Sequence, residues 1–256
     1  IFDNNDRPGI LLSSAIEKYA NFYGVACGEK IVLFTNNDSA YETAISLYKK
    51  GINVEAIIDN REETDSKLIK ETEKNNIKVY KGYTVVDTSG YKRINKVSIM
   101  QLSKDGQKAI GSKISISCDC LGISGGWTPA VHLFTQSGGK LKFRDEDQVF
   151  IPNIYPSDQI SIGSCNGDFT LDEILSTVPK TLKEFLNLKK TNYDDLEIKS
   201  SFNRSKRNIW LLPSDKIFGK TKSFVDYQND ATAKDIKLAL REGFRSIEHV
   251  KRYTTT

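Results

Sequence analysis

Three groups of side chains in this 256-residue sequence have types and spacings that chemistry could use. The first is the turn Thr35-Asn36-Asn37-Asp38-Ser39-Ala40, set between a short apolar run and a helical pattern. A helix N-terminus offers free N–H groups and a partial positive charge at such a turn, which suits a dinucleotide phosphate. The glycines of the usual fingerprint, which let pyrophosphate approach the backbone, are missing, and Asp38 would repel a phosphate. Asp59 follows about 20 residues on, where a ribose-binding carboxylate belongs, although an Asp that merely ends a strand is the commoner arrangement. The second group, Gly122-Ile123-Ser124-Gly125-Gly126, matches the letters of the nucleophile elbow. That motif needs a helix directly after the serine and a partner histidine. Here Trp127-Thr128-Pro129 intervenes and the chain holds only His132 and His249, so Ser124 reads as a loop residue. The third group is Cys118 and Cys120, two apart and expected on one side of one strand. Same-face neighbours make a poor disulfide, which favours packing over a redox pair.

The elements that must position these residues follow from the apolar pattern. Residues 13–22 read as a helix with Ile16, Tyr19, Ala20 and Phe22 at helical spacing, and residues 30–34 as a buried strand. A helix carrying Ala40, Ala44, Leu47 and Tyr48 on one side ends at Gly51, and residues 53–59 form the next strand. Strand, turn, helix and strand within about 30 residues make a βαβ unit with parallel strands. Residues 64–75 read as a helix and 77–88 as one strand. Residues 96–102 and 113–124, around a turn at Asp105-Gly106, read as antiparallel strands crossing over to a last central strand that ends near Ser124. A tight loop from Gly125 to Pro129 precedes a short helix over 130–136, and residues 158–175 read strand, turn, helix with Gly163 and Gly167 in the turn. Residues 180–222 are rich in Lys and Asn, as in a linker. Thr232 is an N-cap candidate for the first of two terminal helices. The class is α/β, divided as 1–178, 179–222 and 223–256.

Composition narrows the function classes. Hydrophobic residues make up 38% and mean hydropathy is −0.43, values of a globular protein. No run of about 20 apolar residues is present to span a membrane. The net charge of +4 is unevenly spread: residues 1–179 hold 20 basic and 23 acidic side chains, and residues 180–256 hold 17 and 10. A basic tail suits nucleic acid or an acidic partner, but no aromatics interleave with a dense basic run, so a solvated face is expected and nucleic acid is not. Cys27, Cys118, Cys120 and Cys165 form no CxxC pair, and with two distant histidines no metal site is expected. No catalytic residue is assigned. The chain opens without Met or a signal peptide, and the expectation is a piece of a longer cytoplasmic polypeptide with reduced thiols.

Five stretches carry a resemblance. They are NNDRPGILLSSA (4–15), VLFTNNDSAYETA (32–44), ISCDCLGISGGWTPAVHLFTQSGGKL (116–141), GSCNGDF (163–169) and FVDYQNDATAKDIKLALREGFRSIEHVKRYTT (224–255). In that order, across nearly the whole chain, they closely resemble the alpha subunits of heterotetrameric sarcosine oxidases. The resemblance implies a fold like that of the NAD(P)/FAD-dependent disulfide oxidoreductases. It implies an enzyme that oxidises the N-methyl amine of sarcosine with flavin, yields peroxide, and passes the one-carbon unit to tetrahydrofolate. NAD would be bound by the alpha subunit, FMN or FAD in the complex with the amine-oxidising site in the beta subunit, and gamma and delta subunits would complete the assembly. A glycine-rich fingerprint would lie upstream of Ile1 and a folate domain downstream of Thr256, so NAD would be held chiefly outside this chain. The residues contributed here would be Thr35, Asn36, Asn37, Asp38, Ser39, Asp59, Gly125, Gly126 and Trp127, with the return stretch Gly163, Cys165, Asn166, Gly167 and Asp168. Related amine and opine oxidase subunits open a small helical iron–sulfur domain with C-x-C. Aligned on Thr232, those cysteines fall at Asp226 and Gln228, so the resemblance implies a module of that shape without its cluster. Two other readings stand beside a dinucleotide-supporting scaffold. One is an interaction module binding a partner subunit through its basic C-terminal region, including Lys199, Arg204, Lys206 and Arg207. The other is a pyridine-nucleotide disulfide reductase working through Cys118 and Cys120.

Overall fold

The computed structural model describes residues 1–156, 158–188 and 208–256. Lys199, Arg204, Lys206 and Arg207 lie outside the described residues. In chain order the first elements are β1 (Ile10–Leu12), α1 (Ser13–Phe22), β2 (Ile31–Thr35), α2 (Ser39–Lys49), β3 (Val54–Asp59), α3 (Lys67–Lys74) and β4 (Lys78–Lys81). They continue with β5 (Tyr83–Gly90), β6 (Ile94–Leu102), β7 (Ala109–Ser117) and β8 (Cys120–Ser124). Strands β1, β8, β2, β3 and β4 form a parallel sheet in that order, and β5, β6 and β7 an antiparallel one. The expected α/β class with an antiparallel crossover is thus the one observed.

The central strand β2 shows why. All five of its residues are buried, because the sheet is covered on both faces, and its side chains alternate between two cores. Ile31 and Leu33 pack with Ile16 of α1, Ala44 and Leu47 of α2 and Ile69 of α3. Val32 and Phe34 pack on the other face with Val85, Val97 and Ile99 of the antiparallel sheet. Each fully buried Ile or Leu in these layers contributes about 1.5–3 kcal/mol. Of the four apolar positions spaced along α1, only Ile16 and Ala20 are buried; Tyr19 and Phe22 face solvent.

Two runs that read as single strands are broken, for identifiable reasons. Residues 77–88 split at Gly82, whose φ of +72° turns the chain from the parallel sheet into the antiparallel one. Residues 113–124 split at Cys118-Asp119, where the Asp119 carboxylate accepts the N–H groups of Glu29 and Lys30 at 2.9 Å each. The break corrects the expected placement of the cysteines. Cys118 joins the core under the antiparallel sheet and Cys120 the core under the helices, so they lie on opposite faces.

The chain divides into two compact units, Ile1–Gly125 with Ile209–Thr256, and Gly126–Asn208. Neither bound coincides with the sequence divisions at 178 and 222. The second unit carries α4 (His132–Gln136), an antiparallel hairpin of β9 (Lys140–Arg144) and β10 (Val149–Ile154), a 3-10 turn over Gly163–Asn166, and α5 (Leu171–Phe185). The hairpin was not among the expected elements, and no strand forms at 158–162, where one was expected. Helix α5 starts on a Thr170–Glu173 capping box and runs through Pro179, so the expected linker begins inside a helix.

Elements β11 (Phe224–Asp226), β12 (Ala231–Thr232), α6 (Ala233–Arg241) and α7 (Ile247–Thr254) close the chain. They belong with its beginning. The Asn5 carboxamide exchanges two hydrogen bonds with the Phe224 backbone at 2.8 and 2.9 Å, and Leu212 N–H donates to the Ile1 carbonyl. Thr232 opens α6 as expected, donating N–H and hydroxyl to the Asp235 carboxylate. Among the described residues no helix is long and apolar enough to cross a membrane.

Candidate functional site

The register of the parallel sheet brings three strand ends side by side: Thr35 of β2 lies opposite Asp59 of β3 and Ser124 of β8. Helix α2 starts directly above them, at the carboxyl edge where open α/β sheets take their ligands. The turn between β2 and α2 is closed by its own side chains. Thr35 Oγ1 accepts the Asn37 N–H at 3.0 Å and donates to the Asn37 carbonyl at 2.8 Å. Asn36 N–H donates to the Ser124 carbonyl, and Asn36 Nδ2 to the Gly125 carbonyl at 3.0 Å. Asn37 Nδ2 donates to the Ser124 carbonyl at 3.1 Å, while its Oδ1 accepts the Ser39 N–H at 3.0 Å and the Ser39 hydroxyl at 2.6 Å.

Next to the turn sits a buried ionic cluster. Asp38 and Asp59 are both fully buried. The Arg61 guanidinium forks onto Asp59, with Nε at 3.0 Å from Oδ1 and Nη2 at 2.7 Å from Oδ2, and Nη2 also reaches Asp38 Oδ1 at 2.9 Å. Asp59 Oδ1 accepts the Arg61 N–H as well, and Oδ2 accepts the Tyr41 hydroxyl at 2.8 Å. Burial works against the Arg61 charge, but the bonds to Asp59 and Asp38 outweigh it and raise its pKa above the ordinary value. Burial, then the Asp59 charge, push the Tyr41 phenol far above its usual range.

These residues do not fit a dinucleotide. A pyrophosphate needs unclaimed N–H donors and glycine-thin backbone, whereas the donors of Asn36, Asn37 and Ser39 are spent and Asp38 lies beside them. A ribose hydroxyl needs a carboxylate with free lone pairs at the surface, and Asp59 is neither free nor exposed.

Of the expected site residues, the structure brings together Thr35, Asn36, Asn37, Asp38, Ser39, Asp59 and Gly125. Gly126 and Trp127 belong to the second unit, with Trp127 about half exposed. The return stretch, in that same unit, is a self-bonded turn. Gly167, at φ +90°, and Asp168 donate their N–H groups to the carbonyls of Ser164 and Gly163. The Cys165 thiol lies 3.0 Å from the Ile162 carbonyl. Asp168 accepts the Thr177 hydroxyl, and the Gly167 carbonyl accepts Arg144 Nη2 at 3.0 Å. Asn166 ends the 3-10 turn.

Tyr41 and Arg61 were missed. An Arg two residues after a strand-terminal Asp was the available signal for Arg61; Tyr41 gave none, since its ring reads as ordinary core. Ser124 ends β8 and pairs with the Ser39 hydroxyl at 2.8 Å, a partner that is no base. Burial pushes the thiols of Cys118 and Cys120 up to about 12, which removes the thiolate a disulfide reductase requires. Among the described residues no group of three or more His, Cys, Asp or Glu could hold a metal ion. Asp226 instead accepts the N–H groups of Gln228 and Asn229 within its own turn.

Sequence comparison places the chain. It is 34% identical over 266 residues to the sarcosine oxidase subunit alpha of Corynebacterium sp. (strain P-1), and 31% identical over 267 residues to that of Rhizobium meliloti (strain 1021). Both matches cover 100% of this chain. Its whole length is similar to a stretch of sarcosine oxidase alpha subunits. The chain spans only about a quarter of these relatives, 27% and 25% of their lengths. Residues 220–256 match the sarcosine oxidase A3 domain family, which takes in β11 to α7. The L-proline dehydrogenase of P. horikoshii shares the fold, with a TM-score of 0.56 at 17% identity over 99% of this chain and 46% of that one.

Proposed function

We propose that this chain is part of the alpha subunit of a sarcosine-oxidase-type amine oxidoreductase, where it serves as scaffold and subunit contact and not as the reacting centre. The observation that carries the reading is the homology to sarcosine oxidase alpha subunits over the entire chain. The assembled enzyme would convert sarcosine to glycine in the cytoplasm, with peroxide and methylene-tetrahydrofolate as further products. Its flavin would sit in the complex, with the amine-oxidising site in the beta subunit. Gamma and delta subunits would complete the assembly, and NAD would be held mainly by residues outside the 256. The closed turn at Thr35–Ser39, the engaged Asp59 and the high thiol pKa values support a supporting role over a catalytic one. Calorimetric titration of NAD into the chain tests it. The expected result is no heat of binding; micromolar binding that disappears in Asp59→Ala would make this sheet edge a working cofactor site and end the scaffold reading.

A further inference from the structure

We infer that the dinucleotide turn is occupied from within: the Asn37 carboxamide takes the place of a phosphate, and the Tyr41 hydroxyl on Asp59, beside an Arg61 guanidinium held by Asp38 and Asp59, takes the place of the ribose end. The inference rests on the scaffold reading and identifies the device that lets a dinucleotide fold stay ordered without its ligand at this edge.

Donor accounting carries the first half. A phosphate oxygen at a helix N-terminus collects several N–H and hydroxyl donors. Here Asn37 Oδ1 collects the Ser39 N–H at 3.0 Å, the Ser39 hydroxyl at 2.6 Å and the Ser124 hydroxyl at 3.3 Å. The orientation of the amide is set by its other end, because Nδ2 faces two oxygens that can only accept, the Ser124 carbonyl and Asn36 Oδ1. Asn37 is 1% exposed, so it fills the space as well as the hydrogen bonds. The same side chain that keeps a phosphate out thus supplies its contacts.

Charge and geometry carry the second half. A bound ribose would present a hydroxyl to Asp59; here the Tyr41 hydroxyl does so at 2.8 Å. A cation beside a nucleotide phosphate would be free to meet it, whereas Arg61 is already shared between two buried carboxylates. An incoming nucleotide would have to compete with Arg61 for both buried carboxylates and bring its own negative charge up to them.

Amide hydrogen exchange on the intact subunit tests the inference. In the unmodified protein, exchange at Ser39 should not change on adding NADH at about 5 mM, a concentration that would fill even a weak site. In Asn37→Ala it should quicken by about 10-fold or more, because the donor loses its acceptor. Slowing at Ser39 by NADH would overturn the inference by showing that a nucleotide displaces the internal occupant. Unchanged exchange in Asn37→Ala would overturn it by showing that the carboxamide protects nothing. If that variant fails to fold, the NADH arm on unmodified protein still decides. Counting NAD bound per intact subunit tests the scaffold reading separately, since NAD held elsewhere leaves Ser39 unaffected.

Discussion

Asp59 shows how a residue can stand where a motif requires it and do something else. Its place at the end of β3 was readable from sequence, because strand, turn, helix and strand have a fixed period. Its role was not, because the partners that claim its oxygens come from α2 and from the loop beyond, and only folding aligns them. The Arg61 side chain is 9% exposed, so its pairing is a buried one. Replacing it takes the guanidinium away from two buried carboxylates, and Arg61→Leu should destabilise the protein by about 3–5 kcal/mol in urea unfolding. A loss under about 1 kcal/mol would mean that solvent reaches the cluster. The thiols make a second prediction. Cys118 and Cys120 are 2% and 0% exposed with pKa values near 12, so neither should react with an aromatic disulfide reagent at pH 8 until the protein unfolds. Rapid labelling of either in the native state would revive the reductase reading.

At the scale of elements, legibility followed periodicity. Helix α1 and the β2–α2–β3 unit stood in the sequence nearly residue for residue, since their apolar spacing is strong and their ends are marked by glycine or polar turns. Breaks inside apolar runs did not show, because a strand that crosses between sheets keeps the same alternation on both sides of Gly82 or Cys118-Asp119. The hairpin of β9 and β10 did carry a period of two in Lys140-Leu141-Lys142-Phe143-Arg144, but that run is only five residues long and its partner strand, with Val149, Phe150, Ile151 and Pro152 in succession, does not alternate. What holds the second break is the Asp119 carboxylate. Burial opposes its charge, but the Glu29 and Lys30 N–H groups prevail and hold its pKa below the ordinary carboxylate value. A depressed folded pKa gives stability that is full above the unfolded value and lost as pH falls through the folded one. Asp119→Asn should therefore flatten the acid limb of the stability profile below about pH 4, read from urea midpoints. Gly28 belongs to the same joint. A Cβ there would sit 2.4 Å from Asp119 Oδ1 and 2.8 Å from the Cys120 Cβ, so Gly28→Ala should cost about 1–3 kcal/mol. An unchanged urea midpoint would show that the joint can give.

At the scale of the whole molecule, the sequence divided the chain by texture, whereas the structure divides it by which residues meet. The terminal segment reads as a module of its own, yet Asn5 is bonded to Phe224 and Ile1 to Leu212. Truncation after residue 208 should therefore lower the urea midpoint of the unit built on residues 1–125; an unchanged midpoint would make the segment a passive appendage. The position of β8 has a temporal side. It lies between β1 and β2 in the sheet but follows them by about a hundred residues of chain. On a ribosome, β2, β3 and β4 can join in the order they emerge, while β1 waits beside an empty slot until Ser124 has left the exit tunnel. A nascent chain of this design carries an open seam between β1 and β2 until β8 is made, and closing it late, against a large loop entropy, makes β1, the earliest of these five strands, the last of them to be locked in.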